Sequence, residues 1–188
     1  MKRRLFIAIN LPDNIKDKLI DYQKKWTDLP VRWTPKPNLH ITLVFIGYVG
    51  NDEMYEIANI VKETVGRHNS FDISLERIIL GPPHKPPRMV WAEGEKSEEI
   101  AGLKNDLEEL LLESNNSGYR KQETRAYRPH ITLGRIKHEE WRRLSFQPKI
   151  DEEFNFSFSV ESVEVMQSDL KKDGAEYTIL ESVELGKL

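Results

Sequence analysis

Two tetrapeptides in this chain are identical, His40-Ile41-Thr42-Leu43 and His130-Ile131-Thr132-Leu133, and they begin 90 residues apart. Side chains alternate along an extended strand, so His40 and Thr42 share one face while Ile41 and Leu43 share the other. The second copy does the same with His130 and Thr132. Each motif buries two apolar groups and presents an imidazole beside a hydroxyl. Two such strands across a groove would surround one small volume with two imidazoles and two hydroxyls. Neutral imidazole accepts a proton and imidazolium gives one near neutral pH. One ring can therefore activate a nucleophile while the other protonates a leaving oxygen. Hydroxyls that donate to non-bridging oxygens stabilise the charge that builds in the transition state. This set suits phosphate ester cleavage, and it needs neither metal nor other cofactor if a histidine serves as the acid. A single His-x-Thr is ordinarily structural, whereas two copies that use two of the five histidines are far more specific. His68, His84 and His138 stand in polar or proline-rich surroundings and read as surface residues. A zinc site would need further ligands, and no His-x-x-x-His or Glu-x-x-His spacing supplies them.

The flanking pattern indicates what positions the motifs. Alternation over 5–9 predicts a buried strand. Pro12-Asp13 then opens a helix with Ile15, Leu19, Tyr22 and Trp26 on one stripe. Pro30, Pro35 and Pro37 punctuate a loop. A strand over 39–46 is expected to stop at Gly47. A helix follows with Met54, Ile57, Ala58, Val61 and Val65 on one face, then a strand over 71–80 that ends at Gly81-Pro82-Pro83. The order then repeats: a short strand over 89–92, a helix capped by Ser97 with Ile100, Leu103, Leu107, Leu110 and Leu111, the second motif strand over 130–136, and a short helix over 139–144. One long alternating strand is expected over 154–166 and a last one over 177–185, with a hairpin turn at Asp173-Gly174. Phe71-Asp72-Ile73-Ser74-Leu75 is echoed by Phe154-Asn155-Phe156-Ser157-Phe158. The repeat predicts duplication of one α+β unit, with the two copies facing each other.

A length of 188 residues suits one domain with a substantial core. Hydrophobic residues at 38% and charged residues at 31%, with mixed signs, indicate a folded soluble chain rather than a disordered one. The absence of cysteine excludes disulfides and thiolate metal sites. No apolar run reaches membrane-spanning length. The apolar stretch after Lys2-Arg3-Arg4 is too short for a signal peptide, and Asn10, Pro12 and Asp13 interrupt it, so a cytoplasmic location is expected. The net charge of −3 argues against a whole-molecule polyanion binder. Between Gly118 and Arg143, however, eight basic residues (Arg120, Lys121, Arg125, Arg128, Arg135, Lys137, Arg142, Arg143) outnumber three acidic ones (Glu123, Glu139, Glu140). That zone around the second motif either attracts phosphate or is a solvated charged surface.

The motifs and their surroundings resemble the 2H phosphoesterases, and within them the RNA 2',3'-cyclic phosphodiesterases first known as 2'-5' RNA ligases. The likeness spans nearly the whole chain. It includes Arg4-Leu5-Phe6-Ile7-Ala8-Ile9 with Leu11-Pro12, Asn38-Leu39-His40 leading into Phe45-Ile46-Gly47, Pro87-Arg88-Met89-Val90-Trp91, Pro129-His130 through Arg135, and Ser168-Asp169-Leu170 with Gly174 and Tyr177. The resemblance implies one bilobal α+β domain over 1–188 with a pseudo-twofold axis, two antiparallel sheets lining a central cleft and helices outside. It implies hydrolysis of RNA 2',3'-cyclic phosphate ends to 2'-phosphate ends. His40 would give a proton to the departing 3' oxygen, His130 would take one from water, and Thr42 and Thr132 would bind the phosphate.

Arg135 would be a further phosphate contact. Strict alternation puts it opposite His130; a bulge at Gly134 would re-aim it, and without one it is a rim residue. Trp33 and Tyr127, in polar loops before each motif, could stack on a terminal base, whereas Phe6 and Trp91 read as core. The expected partners are RNA termini, with no membrane and no obligate protein partner, for a monomer. Rival readings are ATP-independent 2'-5' joining of RNA ends, turnover of small cyclic nucleotides, and an RNA-binding protein with a vestigial site.

Overall fold

The computed structural model describes residues 2–83, 86–114, 116–120, 127–146, 148–172 and 174–186. His84, Asp173, Lys121, Glu123 and Arg125, singled out in the sequence, lie outside these. In chain order the elements are β1 (Arg3–Asn10), α1 (Asp13–Lys24), β2 (Val31–Trp33), a 3-10 turn (Lys36–Asn38), β3 (His40–Val49), α2 (Asn51–Gly66), β4 (Phe71–Gly81), β5 (Met89–Gly94), α3 (Glu98–Glu113), β6 (His130–Ile136), α4 (His138–Arg142), β7 (Asp151–Val160), β8 (Ser162–Lys171) and β9 (Gly174–Glu184). Ser97 caps α3 as its sequence predicts, its hydroxyl accepting from the Ile100 N–H at 3.3 Å.

The α+β class holds, but the two separate sheets expected do not form. Nine strands make one antiparallel sheet ordered β7-β4-β5-β6-β3-β1-β8-β9, with β2 on β6. The halves join because the two motif strands lie edge to edge and share one backbone pair, Ile41 with Ile131. Both side chains are fully buried, each worth about 1.5–3 kcal/mol of transfer free energy. Burial also fixes the register, since a one-residue slip would turn the imidazoles into the core.

Several local expectations are corrected. The stretch over 154–166 is two strands, broken at Glu161. Apolar positions change phase there, from Phe154, Phe156, Phe158 and Val160 to Val163 and Val165, because β7 pairs with β4 while β8 pairs with β1 at the far side of the sheet. Gly47 does not stop β3; with φ of +99° it carries the strand through a bulge to Val49. The proline-punctuated loop contains a short strand, β2, which Gly134 admits: a Cβ there would lie 2.5 Å from Val31 Cγ1. The echoing segments, read as equivalent closing strands, are neighbours instead, with Ile73 opposite Phe158 and Leu75 opposite Phe156.

β1 shows how the core divides. Leu5, Ile7 and Ile9 enter the main core with Leu19, Leu39, Ile41 and Ile57. Phe6 and Ala8 point the other way and form a small separate cluster with Met166, against which Tyr177 packs. That second face is the one the motif histidines share. No helix among the described residues is long and apolar enough to cross a membrane.

Candidate active site

β3 lies beside β1 with His40 opposite Asn10 and Thr42 opposite Ala8. β6 lies beside β5 with His130 opposite Glu93 and Thr132 opposite Trp91. Both motif strands then carry one extra residue. Ile7 faces Val44, which leaves Leu43 unmatched, and Val90 faces Gly134, which leaves Leu133 unmatched. A bulge resets alternation. Arg135 consequently returns to the face of His130 and Thr132, opposite Met89, and Phe45 returns to the face of His40, opposite Phe6. The bulge that would bring Arg135 to the site is therefore present.

Each histidine hangs from a carbonyl two residues upstream. His40 Nδ1 lies 2.7 Å from Asn38 O, and His130 Nδ1 lies 3.0 Å from Arg128 O. A carbonyl only accepts, so Nδ1 carries the hydrogen in both rings and Nε2 is the atom left for chemistry. The upstream residues are themselves tethered. The Asn38 side-chain amide donates to Ala175 O at 2.6 Å, and the Arg128 guanidinium pairs with Glu93. At His40, Nε2 meets Thr42 Oγ1 at 3.0 Å. At His130 the threonine turns aside, Thr132 Oγ1 lying 3.9 Å from Met89 Sδ.

Aromatic rings back both imidazoles. Phe6 lies 5.0 Å and Tyr177 5.2 Å from His40, centroid to centroid. Trp91 lies 4.2 Å from His130, and Gly81 makes room for it, since a Cβ there would sit 2.4 Å from the indole. Burial pushes the pKa of His40 down from its usual value; the Asn38 carbonyl opposes this, and charge on Lys16 and on His130 pushes it further down. Burial likewise lowers His130, with the Arg128 carbonyl opposing.

A cleft of about 430 Å³ opens beside His40, lined by Trp33, Phe45 and Tyr177 and by the cations Arg4, Arg32, Arg135 and Lys171. No carboxylate is among its described lining residues. The basic zone read around the second motif thus contributes Arg135, while Arg4, Arg32 and Lys171 come from elsewhere in the sequence. Trp33 lines the cleft. Tyr127 does not: it is partly buried against the main core and its hydroxyl donates to Thr42 O at 2.8 Å. Tyr127 ties the loop before one motif to the strand of the other, a job that its polar sequence neighbourhood does not announce. Phe6 is buried, as read, yet forms the wall behind His40. Of the other histidines, His68 pairs with Asp106 at 2.9 Å and His138 is exposed at the start of α4.

The sequence alone assigned no role to Phe45, Tyr177, Asn38, Arg4, Arg32 or Lys171. The sequence pointed to Arg135 and a bulge at Gly134 after the second motif, whereas the bulge beside Leu43 reveals that Phe45 occupies the matching place after the first.

Over residues 15–172 the chain matches the 2'-5' RNA ligase superfamily. It is 32% identical over 186 residues to the RNA 2',3'-cyclic phosphodiesterase of Methanothermobacter thermautotrophicus, covering 96% of this chain and 98% of that one. It is 32% identical to the protein of the same name from Thermus thermophilus, covering 97% and 90%. A crystal structure of TT0787 from Thermus thermophilus superposes with a TM-score of 0.84 at 25% identity, covering 97% of this chain and 98% of that one. E. coli LigT complexed with 3'-AMP shares the fold at a TM-score of 0.76 and 24% identity, covering 98% and 99%.

Proposed function

The chain belongs to the 2'-5' RNA ligase superfamily, and on that premise we propose that it hydrolyses RNA 2',3'-cyclic phosphate ends to 2'-phosphate ends with the two motif histidines. The observation that supports this reading is the matched suspension of both rings by Nδ1, which leaves the Nε2 of each ring as its reactive nitrogen. His130 Nε2 takes a proton from water as the water oxygen bonds to phosphorus. The bond from phosphorus to O3' breaks, and His40 Nε2 gives its proton to O3'. The product keeps the phosphate on O2', and the proton count balances. Thr42 and Thr132 donate to non-bridging oxygens, and Arg135 adds a charged donor.

Lowered pKa values suit a base that must start neutral. For His40 as the acid, the bound phosphate supplies negative charge that raises its pKa in the complex. A cleft with four cations, of which Lys171 pairs with Glu176 at 3.5 Å, and no carboxylate among its described lining residues favours a polyanionic chain end over a small cyclic nucleotide. Trp33 in that cleft supports a stacking role, while the packing of Tyr127 supports a positioning one. The chain is read as one bilobal unit over 1–188. The strand order outward from the Ile41–Ile131 pair, β3-β1-β8-β9 and β6-β5-β4-β7, supports duplication with exchange of the outer strands.

The deciding experiment identifies the product from an oligonucleotide ending in a 2',3'-cyclic phosphate. A 2'-phosphate is expected; a 3'-phosphate would exchange the leaving oxygen, and no turnover would remove the reading. ATP-independent 2'-5' joining uses the same histidines in reverse, and incubating RNA halves without ATP measures its share.

A further inference from the structure

The short strand β2 places Arg32 directly opposite Arg135 of β6. Like charges at directly opposed positions of an antiparallel pair destabilise it, and neighbouring strands are only about 4.8 Å apart. Ordinarily an intervening carboxylate relieves such a pair. Here neither guanidinium has a carboxylate partner among the described residues; Arg135 meets only Met89 Sδ, at 3.9 Å. Both side chains are exposed and both line the cleft beside His40, where no acid lies among the described residues. A juxtaposition that costs stability and has no internal counter-charge is what an anion site requires of its unoccupied protein.

The position relative to the reacting centre says which anion. Thr132 and Arg135 reach the Met89 sulfur together, so Arg135 stands beside the hydroxyl that the functional reading assigns to the cyclic phosphate. Arg32 lies one strand further out, on the side where Trp33 and the β8–β9 hairpin line the cleft. An RNA end with its cyclic phosphate between the imidazoles has one more phosphate close by, the phosphodiester that joins the terminal nucleotide to the chain.

We propose that Arg32, with Arg135 beside it, forms a second phosphate subsite that holds the phosphodiester on the 5' side of the terminal nucleotide. The site thereby prefers a chain end to a lone cyclic nucleotide. This rests on the functional reading above and narrows its substrate class. Arg32 makes a charge-assisted contact to a group that does not react, so it strengthens substrate and transition state alike.

The test compares a dinucleotide ending in a 2',3'-cyclic phosphate, with a free 5' hydroxyl, against the 2',3'-cyclic mononucleoside phosphate. The dinucleotide is also made with a neutral methylphosphonate in place of its internal phosphodiester. Arg32→Gln is expected to lower the ratio of dinucleotide to mononucleotide kcat/KM about tenfold, the size of one charged hydrogen bond, and to do so through KM. The methylphosphonate should cost the native protein the same factor and cost Arg32→Gln nothing further. Equal loss on both substrates, or no penalty for the methylphosphonate in the native protein, would overturn the subsite. A binding titration with the dinucleotide 2'-phosphate and its methylphosphonate analogue repeats the cycle without turnover. Failure of the hydrolytic reading therefore remains distinguishable from failure of the subsite.

Discussion

The two half-sites share a register and differ in what fills it. Beside the first histidine stand Asn10, Ala8 and Phe6 on β1, with Phe45 after the bulge. Beside the second, in the same places, stand Glu93, Trp91 and Met89 on β5, with Arg135 after the bulge. The first side packs two rings, Phe6 and Tyr177, on an imidazole capped by its own threonine, where the second packs one, Trp91. The second is charged, with Arg128 held by Glu93 and an imidazole whose threonine looks elsewhere. On the proposed reading, matching backbones with unlike neighbours let one repeated tetrapeptide serve as acid on one side and as base on the other. The backbone supplies position, and the flanking strand supplies the electrostatics.

The largest effects should come from the rings themselves. His40→Ala and His130→Ala are each expected to lower kcat about 10²–10⁴-fold on a cyclic-phosphate oligonucleotide, with far-ultraviolet circular dichroism unchanged because both rings are only half-buried. Near-native turnover by either variant would break the pairing of the half-sites. The threonines should then separate them. Thr132→Val removes a phosphate donor, an effect on the order of 10²-fold. Thr42→Val removes a donor and also the partner of His40 Nε2. The first-side variant should therefore be the slower of the two, and equal losses would mean that the Thr42–His40 contact does not outlast substrate binding.

The pH profile sharpens the comparison further, with several-fold effects. A base must be unprotonated, so activity rises with pH through the pKa of His130. An acid must be protonated, so activity falls through that of His40. Both lie below the usual 6.5 in the free protein. The kcat/KM profile, which reports the free enzyme, should accordingly peak on the acid side of neutrality. In kcat the falling limb should move to higher pH, because bound phosphate stabilises the His40 cation. A falling limb at the same pH in both profiles would argue against His40 as the group that feels the phosphate. Arg128→Gln should act on the other side, lowering kcat about tenfold by loosening the carbonyl that orients His130. Nitrogen NMR of the neutral ring would then show loss of the pure Nδ1–H tautomer, with His40 unaffected.

How much of this was legible depends on which forces are local. Alternation around each motif announced both histidine faces, because burial of Ile41, Leu43, Ile131 and Leu133 enforces a period of two. The Ser97 cap and the stripes of α1 to α3 were readable for the same reason. Partner choice between strands was not. Nothing local tells β4 to leave the first half and pair with β5, or tells the chain to cross the sheet at Glu161, although the phase change from Val160 to Val163 was a visible trace. The exposed face of β2 was hidden by its prolines, and Arg32 with it. The bulges were half-legible: Gly134 marked one, while Leu43 and Leu133, the residues left unmatched, look like any core leucine.

The smallest effect tests the residue on which sequence and structure part. Trp33 and Tyr127 precede the two motifs in similar polar settings, yet only Trp33 lines the cleft. The Tyr127 hydroxyl, whose pKa burial pushes up, stays protonated through the assay range and spans from one half-site to the Thr42 carbonyl of the other. Tyr127→Phe should cost about 1 kcal/mol of stability for the lost hydrogen bond, read as a lower denaturant midpoint, and should leave KM for the cyclic mononucleotide within about twofold, an effect at the floor of detection. Trp33→Leu should do the reverse, raising KM several-fold as a lost stacking face does. If Tyr127→Leu raised KM as much as Trp33→Leu, the base would lie against both rings, and the two half-sites would be alike in their aromatics after all.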